Sequence, residues 1–255
     1  MFLRTPPPHG TPREGTAFGA WVKLPGVESP EILADAGFDF LVVDTEHTLL
    51  DLAAVERHLV LGRTLGMRVF VRVPGTDQGT IQRLLDSGAH GVVVPHVDDV
   101  ATARRVVAAS HFPPRGTRGS GGTSRAGRFG TAPRADYLAG GGGVVAQVES
   151  VASVLAVGEI AAVEGLGALL LGQADLGLDP RRGELGPAED VAAAVIAAGR
   201  AAGVPVGTAC SPGAAAAQRD AGFDFVVCAN DATLLASAAR DVIRSLTPTE
   251  EAAHA

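Results

Sequence analysis

The stretch Phe38-Asp39-Phe40-Leu41-Val42-Val43-Asp44-Thr45-Glu46-His47 joins an apolar run directly to two carboxylates and an imidazole. Branched and aromatic residues without polar alternation read as a parallel strand buried on both faces. Charged groups at the carboxyl end of such a strand stand where α/β sheets bind their ligands.

Outward from this stretch, short apolar runs recur at residues 17–22, 38–43, 68–73, 91–95, 144–149, 168–172, 205–209 and 223–228, each followed by a helix-like segment. That alternation predicts an α/β fold, a single-domain (β/α)8 TIM barrel. The 255 residues suit it, since such a barrel uses about 250. The chain divides into an N-terminal extension (1–16), the barrel (17–246) and a C-terminal tail (247–255). Hydrophobic residues make up 46% and aromatics only 4%, which predicts an aliphatic interior of Val, Leu and Ala.

Local signals mark the helices. Ser29-Pro30-Glu31 reads as an N-cap followed by proline at the first helical position, and Asp77 opens another helix. Gly88, Gly203 and Gly222 mark helix ends. Ala-Gly-Phe-Asp-Phe occurs at 36–40 and again at 221–225, each time between a helix and a strand. Between His96 and Gly143 a helix over 100–109 is followed by a long Gly/Arg-rich passage. A connection of that length is a surface excursion, or it closes over the site or an oligomer interface. The glycines at 140–143 lack the strand, spacing and lysine of a phosphate-binding loop.

A formal net charge of −7 argues against a nucleic-acid partner, which demands a basic face. Cys210 and Cys228 suit a reducing compartment and are expected simply to pack. The N-terminus has no apolar signal region, and no apolar run approaches the roughly 20 residues of a membrane span. A cytoplasmic protein is the expectation.

In a (β/α)8 barrel the active site is assembled from several strand ends. Here those ends supply Asp44, Glu46 and His47; Arg72; Gln147 and Glu149; and Gly172-Gln173-Ala174-Asp175. Glu149 and Asp175 lie on consecutive strands and form a hard-oxygen pair suited to Mg²⁺ or Mn²⁺; the alternative is that each caps the helix that follows. Imidazole titrates near neutral pH, which makes His47 a candidate general base. Arg72 brings a fixed positive charge for a developing oxyanion, or an ion pair with Asp44 or Glu46, or both. The sum is suited to removing a proton next to a carbonyl and holding the resulting enolate. Lys23 is the single lysine, so a covalent-imine mechanism would have to use it.

Trp21, Val43-Asp44-Thr45-Glu46-His47, Val71-Arg72-Val73-Pro74, Leu84-Leu85-Asp86-Ser87-Gly88, Pro113-Pro114-Arg115-Gly116, Gln147-Val148-Glu149 and Gly172-Gln173-Ala174-Asp175-Leu176 together resemble the HpcH/HpaI family of class II 2-oxo-acid aldolases. The resemblance runs from about Gly19 to Leu246. It implies a phosphoenolpyruvate/pyruvate-type barrel and a divalent metal, Mg²⁺ or Mn²⁺ with Co²⁺ as a substitute, held by Glu149 and Asp175. It implies pyruvate bound near Arg72, Gln147, Gly172 and the backbone at Ala174 and Asp175. His47 matches the general base, Arg72 the residue that stabilises enolate charge, and Asp86 the carboxylate that raises the histidine's basicity. Glu46 would orient water or Arg72.

The reaction implied is reversible cleavage of 4-hydroxy-2-oxo acids to pyruvate and an aldehyde. A homo-oligomer is implied too, a hexamer built as a trimer of dimers that exchange the helix at 232–246; packing of that helix in its own core is the alternative. The chain departs from the family at Gln173, where proline is usual, and at 139–143, which is short. The rival readings are a CoA-thioester lyase of the citramalyl or malyl type, with Arg115, Arg118, Arg125 and Arg128 on the nucleotide phosphates, and a non-catalytic or isomerase metal-binding barrel.

Overall fold

The computed structural model describes residues 15–140 and 142–246. Most of the 1–16 extension, Gly141 and the whole 247–255 tail lie outside the described residues. Strands β1 (Ala17–Val22), β2 (Phe40–Asp44), β3 (Arg68–Arg72), β4 (Gly91–Val94), β5 (Gly143–Val148), β6 (Ala168–Leu171), β7 (Val206–Ala209) and β8 (Phe225–Asn230) pair in parallel, each with the next. β8 returns to β1 and closes the barrel. Around it lie α1 (Glu28–Asp35), α2 (Leu52–Thr64), α3 (Gln78–Asp86), α4 (Val100–Ser110), α5 (Arg134–Ala139), α6 (Val151–Leu155), α7 (Val157–Ala161), α8 (Gln173–Leu178), α9 (Ala188–Ala202), α10 (Ala215–Ala221) and α11 (Asp231–Leu246).

β2 and β8 each start two residues later than the apolar pattern suggests, at Phe40 and Phe225, and the repeated pentapeptide explains why. The Asp39 N–H donates to the Phe18 carbonyl (2.8 Å), and its carboxylate accepts the Phe18 N–H (2.7 Å). Asp224 makes the same reciprocal pair with Val206, at 2.8 Å in both directions. One device thus ties the start of a strand to its neighbour twice. The phenylalanine that follows each Asp enters the barrel.

Phe40 meets Phe70 and Phe225 edge-on, with ring centroids 6.1 and 6.0 Å apart, a favoured aromatic geometry. The interior is therefore not purely aliphatic, despite the low aromatic content. Three rings fill its floor because two glycines leave room. A Cβ on Gly19 would stand 2.3 Å from the Phe40 ring, and one on Gly207 2.2 Å from the Phe225 ring. The predicted Val, Leu and Ala core lies instead mostly between sheet and helices. Strand alternation puts Trp21, Asp44, Arg72, Gln147 and Gly172 on the same inward face, at the carboxyl end.

Asp77 caps α3 as predicted, accepting the Thr80 N–H at 2.7 Å. Gly203 and Gly222 end α9 and α10 at φ +68° and +99°, and Gly88 (φ +98°) follows α3. Ser29 does not cap α1, which begins one residue earlier. Its hydroxyl donates to Asp231, whose carboxylate also accepts the Lys23 and Leu24 N–H groups. The loop after β1 is thereby fastened to the first residue of α11. Beyond that residue α11 is largely exposed, Leu234, Leu235, Val242, Ile243 and Leu246 included; it does not pack in its own core. Among the described residues no helix is long and apolar enough to cross a membrane.

The passage after α4 runs along the outer face of α3. Arg118 binds Asp86 (2.6 Å), the Gly119 N–H reaches Gln82 (3.1 Å), and Arg125 pairs with Glu56 on α2 (2.9 Å). None of its hydrogen bonds among the described residues reaches Glu46, His47, Arg72 or Glu149.

Candidate active site

The hub of the rim is Asp44, fully buried at the end of β2. Arg72 Nε and Nη2 donate to its Oδ1 (2.9 Å) and Oδ2 (2.7 Å), and Lys23 Nζ donates to Oδ2 (2.6 Å). Burial alone would raise the Asp44 carboxyl. Hydrogen bonds and charge from Arg72 and Lys23 outweigh it and hold the group well below the usual carboxylate range. The Asp44 Oδ1 also accepts the Glu46 and His47 N–H groups, at 3.1 and 3.3 Å. One carboxylate therefore fixes the arginine and also shapes the turn that presents Glu46 and His47.

Arg72 is clamped from three sides. Its guanidinium carbon lies 4.3 Å from the Trp21 ring centroid, and Nη1 lies 3.0 Å from Glu46 Oε2. Arg72 pairs with both acids, and Trp21 stacks on it. His47 Nε2 is 3.6 Å from Glu46 Oε2, with its ring about half exposed at the mouth. Lys23 has its ammonium committed to Asp44.

Across the mouth, Glu149 is buried at the end of β5. Its Oε1 accepts the His96 N–H at 2.8 Å, and its Oε2 accepts from the Gln147 side-chain amide. The other amide atom, Gln147 Oε1, is buried without a partner. Gly172 abuts this carboxylate: a Cβ there would stand 2.9 Å from Glu149 Cβ and 3.1 Å from Oε2. Burial pushes the Glu149 carboxyl up, His96 and Gln147 oppose the rise, and the Glu46 charge adds to it.

Neither Glu149 nor Asp175 caps a helix. Ser150 caps α6, and Gly172 stands at the N-cap position of α8. Asp175 lies exposed in the first turn of α8. Gln173 takes the first helical position without proline, and the turn forms all the same. Ala174 lies between them, also exposed.

Asp86 is not brought to His47 within the chain. It is the last residue of α3, just ahead of β4, which puts it toward the amino ends of the strands, and Arg118 binds it. Arg118 and Arg125 are engaged on α3 and α2 and form no groove at the rim. Burial raises both thiols, Cys210 and Cys228, so they pack rather than react.

Sequence reasoning missed His96. It follows β4 as His47 follows β2, and that position was the available signal. Its Nδ1 lies 3.3 Å from Glu149 Oε1 and its Nε2 3.9 Å from Glu46 Oε1.

The rim suits a divalent cation. Lys23 and Arg72 both serve Asp44, whereas among the described residues the buried Glu149 carboxylate has only the His96 ring within ion-pair distance. A hard cation would relieve that carboxylate and engage the orphaned amide oxygen. Among the described residues no three His, Cys, Asp or Glu side chains form a ready cage.

The fold is a closed parallel TIM barrel with a charged, partly unsatisfied carboxyl rim. The HpcH/HpaI aldolase/citrate lyase family model matches residues 18–238, and the chain belongs to that family as an aldolase-type enzyme. The hydroxypyruvate/pyruvate aldolase of Rhizorhabdus wittichii is 34% identical over 238 residues, covering 89% of this chain and 92% of that protein. The 2-dehydro-3,6-dideoxy-6-sulfogluconate aldolase of Pseudomonas putida is 32% identical, covering 92% and 94%. A family protein of solved structure from Burkholderia cenocepacia J2315 superposes with a TM-score of 0.82 at 34% identity, covering 91% of this chain and 95% of the other.

Proposed function

We propose that the protein is a divalent-metal-dependent aldolase that reversibly cleaves 4-hydroxy-2-oxo acids to pyruvate, or a related 2-oxo acid, and an aldehyde. The observation that carries this reading is the buried Glu149 carboxylate, short of a cation, on the same strand-end rim as the clamped Arg72. Glu149 and Asp175 would hold the ion, Mg²⁺ or Mn²⁺ with Co²⁺ as a substitute, and it would supply Lewis-acid charge to the 2-oxo acid.

His47, exposed at the mouth, takes the proton from the C4 hydroxyl as the C3–C4 bond breaks. The bonding pair passes into the 2-oxo acid as an enolate, the aldehyde departs, and a proton returned to C3 completes pyruvate. Arg72, held by Trp21, Asp44 and Glu46 before substrate arrives, offers fixed positive charge to the enolate oxygen with little reorganisation. Gln147 and the first-turn N–H groups of Ala174 and Asp175, which helix geometry leaves without intrahelical acceptors, orient the substrate's carboxylate. Gly172 lets the backbone lie against Glu149 where a Cβ would collide with it.

Asp86 would act on a histidine only across subunits. The exposed apolar residues of α11 support a homo-oligomer, a hexamer as a trimer of dimers, and two unpaired thiols support a reducing cytoplasm. The placement of Arg118 and Arg125 on the helices disfavours the CoA-thioester reading. Assaying free 4-hydroxy-2-oxo acids beside their CoA counterparts tests this: pyruvate release from the free acids is expected, and turnover of the thioesters alone would overturn it.

A further inference from the structure

We infer that His96 is a nitrogen ligand of the divalent ion, which makes the site a mixed imidazole and carboxylate set with a preference for transition metals over Mg²⁺. The inference rests on the metal-dependent reading above and deepens it.

His96 has φ +54°, the left-handed region that a non-glycine residue seldom adopts. Backbone of this kind persists where the surroundings enforce it, and it clusters at functional sites. Here the turn aims two groups at one oxygen. The main-chain N–H donates to Glu149 Oε1 at 2.8 Å, and ring Nδ1 stands 3.3 Å from the same atom. Two ligands bonded at about 2.1 Å and set at right angles stand about 3 Å apart. Nδ1 and Oε1 are thus spaced as neighbours on one ion, and the carboxylate oxygen retains a lone pair for it beside the N–H.

The far side of the ring fits as well. Nε2 lies 3.9 Å from Glu46 Oε1. A metal-bound histidine characteristically gives its other N–H to a carboxylate, which fixes ring orientation and tautomer, and a small shift closes that gap. The partnerless buried Gln147 Oε1 beside Glu149 is a separate sign that this pocket expects a ligand. Imidazole favours Co²⁺ over Mg²⁺, which prefers oxygen donors.

The test is calorimetric titration of Mg²⁺ and of Co²⁺ into the metal-stripped full-length wild type and His96→Gly, with the visible spectrum of the Co²⁺ forms recorded. Glycine adopts the left-handed turn freely and keeps the N–H to Glu149, so the fold is spared. Co²⁺ affinity should fall on the order of 10- to 100-fold and Mg²⁺ affinity by less than about 3-fold. The Co²⁺ ligand-field band should move to lower energy, and added imidazole should restore both affinity and band. Equal losses for the two metals, or an unchanged Co²⁺ spectrum, would overturn the role of His96 alone. Failure of the wild type to bind either metal would overturn the metal-dependent reading itself.

Discussion

The two ends of this barrel are built from the same strands under opposite rules. At the amino end, Phe40, Phe70 and Phe225 interlock over Gly19 and Gly207, and Asp39 and Asp224 have both N–H and carboxylate paired. At the carboxyl end, Glu149 is buried with its carboxyl pushed up, Gln147 Oε1 has no partner, and His96 is held in a left-handed turn. Close packing with satisfied polar groups favours folding. Unsatisfied polarity and strain oppose it and are kept where a ligand resolves them. The floor holds the barrel together, and the rim is where we propose the chemistry.

The contrast is sharpest at Glu149. Glu149→Gln should lower turnover by about 10³-fold or more and weaken metal binding, while the melting temperature holds or rises because a costly buried charge is gone. A clear fall in melting temperature would break the contrast. His47→Ala should slow turnover by roughly 10²- to 10⁴-fold with unchanged thermal unfolding, read by steady-state kinetics beside calorimetry.

The floor should answer in the opposite way. Gly207→Ala drives a Cβ into the Phe225 ring and should cost about 1–3 kcal/mol of stability, measured by urea unfolding, with kcat largely kept in the folded fraction. A large loss of kcat at full stability would show that the two ends are not separable.

The smallest effect lies at the side of the barrel. His58 is buried on α2, and burial lowers its pKa from the ordinary 6.5, against a hydrogen bond to the Gly26 carbonyl. The folded chain then holds fewer protons than the unfolded one. The stability from neutral His58 is present above pH 6.5 and drains away as pH falls through the lowered value. Unfolding free energy measured from pH 8 to 5 should therefore decline on the acid side, and His58→Leu should flatten that slope.

The repeating apolar runs carried the barrel, because buried parallel strands must be apolar on both faces. They did not disclose the aromatic floor. Three phenylalanines are few in composition, yet they meet because glycines on neighbouring strands make room, a relation between residues remote in sequence. At the rim, Glu46, His47, Arg72 and Glu149 were legible as candidates since each ends a strand or follows a strand end within three residues. The organising role of Asp44 was visible only as one of two ion-pair options for Arg72. His96 escaped because a lone histidine after Pro95 carries no motif, and only the closed sheet brings it against Glu149. The role of Asp86 beside His47 rested on the resemblance alone. The helix it ends carries it away from the rim, and any contact with His47 needs a second subunit.

The central claim is that this rim breaks a carbon–carbon bond with a divalent ion at Glu149. The direct test is pyruvate release from a 4-hydroxy-2-oxo acid by the chelator-stripped enzyme, with Mg²⁺, Mn²⁺ or Co²⁺ added back and borohydride trapping run in parallel. The account predicts no turnover without metal, recovery on its return, and no adduct at Lys23. Full activity in excess chelator, or a trapped Lys23 adduct, would contradict it.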